Sequence, residues 1–132
     1  MKIIILGTAH LKSTPGKRSP DGKFREYKYS REICLEIKSI LESYGYKVFI
    51  DIEDEDLKLT QSQELVKRCK IVNDLHKKYK NCIYISIHVN AASNGVWSNA
   101  TGWEIYTTKG TTEADKLATC IYEQASKNFN KT

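Results

Sequence analysis

The stretch Cys82-Ile83-Tyr84-Ile85-Ser86-Ile87-His88-Val89 decides the fold class. It is apolar at nearly every position, as a central parallel strand covered on both faces should be. Side chains alternate along a strand. Ser86, His88 and Asn90 therefore point to one face, and Ile85, Ile87 and Val89 to the other. An imidazole in such a run is costly to bury without a partner.

Working outward, Lys2–Leu6 (Lys-Ile-Ile-Ile-Leu) reads as a first buried strand and Lys47–Asp51 as a second. Between them an amphipathic helix is predicted near Tyr29–Tyr44. Ile33, Ile37, Ile40 and Leu41 recur at three- and four-residue steps, Ser30 is a candidate cap, and Gly45 is a candidate C′ residue. Thr60-Gln-Ser-Gln63 has the form of a capping box. The helix it opens is expected to turn Leu65, Val66, Cys69, Val72 and Leu75 inward and to run to Tyr79. Trp103–Thr107 reads as a fourth strand. Thr112 is a candidate cap for a last helix with Ala114, Leu117, Ala118, Ile121, Tyr122 and Ala125 inward.

Strand-helix-strand-helix-strand, then strand-helix, is an α/β pattern. It implies a three-layer domain: a largely parallel twisted sheet with helices on both faces and right-handed crossovers. The 132 residues suffice for one domain with a real hydrophobic core. An α/β chain often follows its last helix with another strand. The single domain, residues 1–132, is therefore expected to be incomplete at its C-terminal end, and a bare sheet edge there would invite dimers of an otherwise monomeric protein.

Composition excludes several classes. With 40% hydrophobic and 28% charged residues, disorder and rod-like folds are disfavoured. No apolar run approaches the roughly 18 residues of a membrane helix, and the start is too short for a signal peptide. The net charge of +5 is spread along the chain, without a basic cluster interleaved with aromatics, so nucleic acid is not an expected partner. Cys34, Cys69, Cys82 and Cys120 are far apart and read as small buried hydrophobes. Glycine-rich phosphate loops, Gly-x-Ser-x-Gly and His-Glu-x-x-His are all absent.

The chemistry points to the strand ends. His10 follows the carboxyl end of the first strand and His88 lies at that of the third. In a sheet of order 2-1-3 those strands are neighbours, and their ends flank the switch point where ligands bind. His76, beside Lys77 and Lys78, suits a solvated helix C-terminus instead. A catalytic zinc needs three protein ligands and an open position. Asp21 and Glu26 in the first long loop are the carboxylate candidates, against the simpler reading of Glu26 as a surface side chain and of the histidines as hydrogen-bonded core residues. Asp51, Glu53, Asp54, Glu55 and Asp56 read as a solvated acidic loop. Trp97, Trp103 and Tyr106 suit either a stacking wall for sugar or peptide, or core packing.

His10, Thr14-Pro15-Gly16-Lys17-Arg18-Ser19-Pro20-Asp21-Gly22, Arg25-Glu26-Tyr27 and Ser86-Ile87-His88-Val89-Asn90-Ala91-Ala92 resemble the zinc-dependent N-acetylmuramoyl-L-alanine amidases, notably their endolysin-like branch. The resemblance extends through Val66-Lys67-Arg68, Asn73 and Gly102-Trp103-Glu104-Ile105-Tyr106. It implies Zn2+ held by His10, Glu26 and His88. It also implies cleavage of peptidoglycan between N-acetylmuramic acid and L-alanine, by a protein made in the cytoplasm without a signal peptide and acting on the cell wall after release or export. Two departures stand out. The family's Gly-His-Gly is here Ala9-His10-Leu11. The family's catalytic glutamate, on a late strand, is expected beyond Thr132; Glu104, Glu113 and Glu123 do not match it. A non-catalytic peptidoglycan-binding module that keeps the fold is the alternative.

Overall fold

The computed structural model describes residues 2–129. It divides into two compact units, Met1–Ser98 and Asn99–Thr132. The first holds β1 (Ile3–Thr8), α1 (Glu26–Ser43), β2 (Lys47–Ile50), α2 (Gln61–Tyr79) and β3 (Cys82–Ile87). The three strands form one parallel sheet of order β2-β1-β3. This is the α/β architecture, and the strand order, that the sequence predicts.

Every residue of β1 is buried, because β1 is the central strand. Ile4, Leu6 and Val48 form one core with Cys34 of α1, joined by Ile37, Leu41, Ile50, Ile85 and Ile87. The inward residues of β3 are thus the odd-numbered ones, as alternation requires. The other face carries Gly7 and Tyr84. A Cβ at Gly7 would lie 2.3 Å from the Tyr84 hydroxyl and 2.9 Å from Ser86 Oγ, so the tyrosine crosses β1 only because residue 7 has no side chain. The Tyr84 hydroxyl donates to Asp51 Oδ2 at 3.0 Å. Burial and the neighbouring Asp51 carboxylate push its pKa up to about 12.

α2 lies against this second face through only part of the predicted stripe, since Val72 and Leu75 are half-buried. Leu65 and Val66 are 62% and 69% exposed, and Cys69 is exposed too. The buried residues of α2 are Glu64 and Arg68. Asp51, predicted to be solvated, is 4% exposed. Arg68 donates to Asp51 Oδ2 through Nη1 and to Glu64 Oε1 through Nε and Nη2, at 3.0 and 2.8 Å. Asp51 also accepts from the Thr8 amide at 3.0 Å and the Ile52 amide at 2.7 Å. Burial opposes the charge on Arg68, yet the two carboxylates outweigh it and raise its pKa. Once Asp51 is buried at the end of β2, α2 must present a cation there, so Glu64 and Arg68 take its most buried positions and Leu65 turns outward.

Local signals fare better. The Thr60–Gln63 capping box is present, with both reciprocal bonds at 2.9 and 3.2 Å. Gly45 follows the Tyr44 cap of α1 at φ 82°. α1, however, starts at Glu26 behind Arg25, which makes no side-chain cap, so Ser30 lies inside the helix. A glutamate in the first turn is favoured by the helix dipole.

In the second unit α3 spans Glu113–Phe129. Asp115 Oδ2 accepts from the Thr112 amide at its start. The predicted strand Trp103–Thr107 is not a strand. A strand persists only by pairing, and this unit contains no second one among its described residues. None of the described α3 residues is buried; of those predicted inward, Leu117, Ala118, Ile121 and Ala125 are half-buried, whereas Ala114 and Tyr122 are exposed. Of the cysteines only Cys34 is buried; Cys82 is half-buried, and Cys69 and Cys120 are exposed.

Removing one member of the buried charge cluster leaves the others unpaired. Arg68→Met is expected to destabilise the protein by about 3–5 kcal/mol, read as a fall in the urea unfolding midpoint.

Candidate metal centre

Three chain segments meet above the carboxyl ends of β1 and β3. Thr8 pairs with Ile87 in the parallel ladder. His10 lies two residues past one of these and His88 one residue past the other. Their rings are edge to face, with centroids 5.3 Å apart at 82°.

Glu26 arrives from the first long loop. That loop doubles back through an antiparallel bridge between Arg18 and Arg25, and the Glu26 amide donates to the Lys17 carbonyl at 3.1 Å. The carboxylate thus begins α1 directly beneath the histidines. Its Oε1 lies 3.2 Å from His88 Nδ1 and accepts from the Val89 amide at 2.9 Å. Its Oε2 lies 3.7 Å from His10 Nε2. The potential ligand atoms of His10, Glu26 and His88 all fall within 4.8 Å of one another.

The surroundings suit a cation. Burial chiefly, helped by Lys17 and His88, lowers the His10 pKa despite the opposing Glu26, so the imidazole is neutral with a lone pair to give. Burial raises the Glu26 pKa, but the hydrogen bonds from His88 and the Val89 amide more than offset it, and the carboxyl is held below its usual range. The Glu26 side chain is 7% exposed, that of His10 13% and that of His88 52%. The site is therefore closed on the glutamate side and open to solvent beside His88.

His10 adopts φ 50°, in the left-handed region that favours glycine. Arg31 holds it there: Nη1 donates to the His10 carbonyl at 2.9 Å and to the Tyr27 carbonyl at 3.1 Å. Ala9 and Leu11, standing where the related pattern has glycines, are 0% and 1% exposed, so the backbone around His10 is packed rather than free.

Of the two candidate carboxylates, only Glu26 reaches the histidines. Asp21 is exposed and closes a local turn, accepting from Ser19 Oγ at 2.5 Å. Within the acidic segment Asp56 pairs with Lys12 at 3.1 Å. Trp97 is 72% exposed and Tyr106 81%; Trp103 stacks on Tyr122 with centroids 4.3 Å apart. Sequence reasoning missed Arg31. A cation five residues after a candidate ligand, on the face of α1 that must meet the sheet, is the signal that could have found it.

Residues 4–132 match the family profile described as N-acetylmuramoyl-L-alanine amidase. No curated protein matches. Among solved structures, the chain is similar to the CwlD amidase of Clostridioides difficile, determined in complex with the GerS lipoprotein. The identity is 25% and the TM-score 0.81, covering all of this chain and 68% of that one. It also resembles the catalytic domain of CwlV, an N-acetylmuramoyl-L-alanine amidase from Bacillus (Paenibacillus) polymyxa var. colistinus. Here the identity is 23% and the TM-score 0.56, over 70% of this chain and 48% of that one, which speaks to the fold alone.

The double use of Glu26 Oε1 has a measurable consequence in metal-free protein. Glu26→Ala is expected to speed hydrogen exchange at the Val89 amide about tenfold or more, since a charge-assisted bond is lost. Glu26→Gln, which keeps an acceptor oxygen, is expected to retain most of the protection.

Proposed function

Since the chain belongs to the N-acetylmuramoyl-L-alanine amidase family, we propose that it hydrolyses the amide between N-acetylmuramic acid and the L-alanine of the peptidoglycan stem peptide, with Zn2+ held by His10, Glu26 and His88. The convergence of these three donors within 4.8 Å carries the reading. Two imidazoles and one carboxylate form a donor set used for catalytic zinc, which would leave a fourth position open. Solvent or substrate would reach such an ion from the side beside His88, whose side chain is half exposed. The chemistry a zinc ion supplies in such a site is Lewis acidity toward a carbonyl oxygen and acidification of water.

The chain's own residues do the positioning. Glu26 orients His88 through Nδ1 and pins the start of the following loop through the Val89 amide. Arg31 fixes the backbone of His10. The proton that the leaving amine needs requires a further acid-base group. We assign it to none of the three glutamates weighed above: Glu104 accepts from Tyr106 and Glu113 pairs with Lys116, while Glu123 is an exposed α3 residue. No helix of the described residues is long and apolar enough to cross a membrane. Action on the wall after release or export completes the proposal. The lipoprotein complex of the CwlD relative suggests testing for a protein partner as well.

Metal analysis of the purified chain is expected to find one zinc per molecule, and almost none in His88→Ala. Release of new amino termini from muropeptides should exceed that of His88→Ala and disappear with a chelator. A wild-type chain that takes up no zinc would overturn the proposal.

A further inference from the structure

Ser30 is fully buried one turn along α1 from Glu26, at 0% exposure. Its hydroxyl does two things at once. Oγ accepts from the Ala9 amide at 2.8 Å and donates to the Ile87 carbonyl at 2.7 Å. Ala9 immediately precedes His10, and Ile87 immediately precedes His88. The last pair of the β1–β3 ladder is Thr8 with Ile87, so Ser30 joins the two segments at the point where that ladder ends.

We infer that Ser30 is a positioning residue for the metal centre: its hydroxyl bridges the backbone before His10 to the backbone before His88 and so sets the separation of the two imidazoles. The bridge rests on the reading of His10, Glu26 and His88 as the zinc ligands. It adds a residue that touches neither ligand side chain. Helix α1 thereby supplies one ligand, Glu26, and regulates the gap between the other two. A serine inside a helix commonly turns its hydroxyl back to a carbonyl one turn earlier. Here the hydroxyl leaves its own helix to join two strand ends. The Ala9 amide is fully buried, so it has little alternative to this bond, and the Ile87 carbonyl that accepts from Ser30 is partly buried.

The test compares zinc affinity, by competition with a chromophoric chelator, in the full chain, Ser30→Ala and a packing control, Ile4→Val. Ile4 belongs to the core on the same sheet and touches no ligand. Ser30→Ala is expected to bind zinc about tenfold more weakly or worse, as changes that disorient metal ligands do. The visible bands of its cobalt(II) form should shift, and its Ala9 amide should exchange faster in metal-free protein. Ile4→Val is expected to lose thermal stability with zinc affinity and cobalt bands unchanged. Should Ser30→Ala not fold, Ser30→Cys, with a longer and weaker sulfur bridge at similar volume, is read the same way. Wild-type zinc affinity in the serine variant, or an equal loss in Ile4→Val, overturns the inference while leaving the amidase reading intact. Absence of zinc from the wild type overturns both.

Discussion

The parallel pairing of β1 with β3 is the interaction on which the rest depends. Six consecutive residue pairs, from Ile3↔Cys82 to Thr8↔Ile87, bring together two strands that have a whole β-strand and two helices between them in the chain. Parallel neighbours present their carboxyl ends on the same side. Whatever follows Thr8 and Ile87 is therefore brought face to face, and in this chain both continuations carry a histidine. The right-handed crossovers then place α1 on one face of the sheet and α2 on the other. The start of α1 consequently falls at the mouth between the two histidines.

Helix α1 turns that proximity into a site. Glu26, Ser30 and Arg31 lie within two turns of one helix, and all three are buried. Glu26 meets both imidazoles, Ser30 meets the backbone before each of them, and Arg31 holds the His10 carbonyl. Burying three polar side chains is costly unless each finds partners, and here the partners are the strand ends and the loop that must be held. The polar groups that would weaken an ordinary core specify this one. The left-handed backbone of His10 fits the same picture, since such a conformation persists only where surrounding contacts determine it.

A second buried polar cluster serves the opposite face. Its buried members, Asp51, Arg68 and Glu64, tie the end of β2 to α2, and the partly exposed Tyr84 joins them to β3 through its hydroxyl. Thr14 extends it to the loop after His10, donating to Glu64 at 3.1 Å while accepting from the Leu11 amide at 3.1 Å. The segment from His10 to Thr14 is therefore held from both faces of the sheet.

The family resemblance singled out Glu26 from Asp21, while the element order from β1 to β3, the parallel sheet, the Thr60 capping box, the Gly45 helix stop and the meeting of His10 and His88 at neighbouring strand ends were legible in the sequence itself. These rest on local spacing and on topology, which a single chain displays openly. Other features belong to the tertiary structure. Asp51 stands in a run of acidic residues that all look solvated, and only its position at the end of β2 against Arg68 makes it a buried anion. Leu65 and Val66 fit an apolar stripe with Val72 and Leu75, but a buried carboxylate opposite α2 draws Glu64 and Arg68 inward and leaves the first two exposed. Trp103–Thr107 has strand-like residues and forms no strand, because pairing is a property of two segments and not of one. Ser30 reads as a helix cap from its neighbours, and acquires its bridging role only when β1 and β3 lie side by side. A sequence determines periodicity and the inventory of chemical groups; which polar groups are buried, and with whom, is settled by contacts between distant segments.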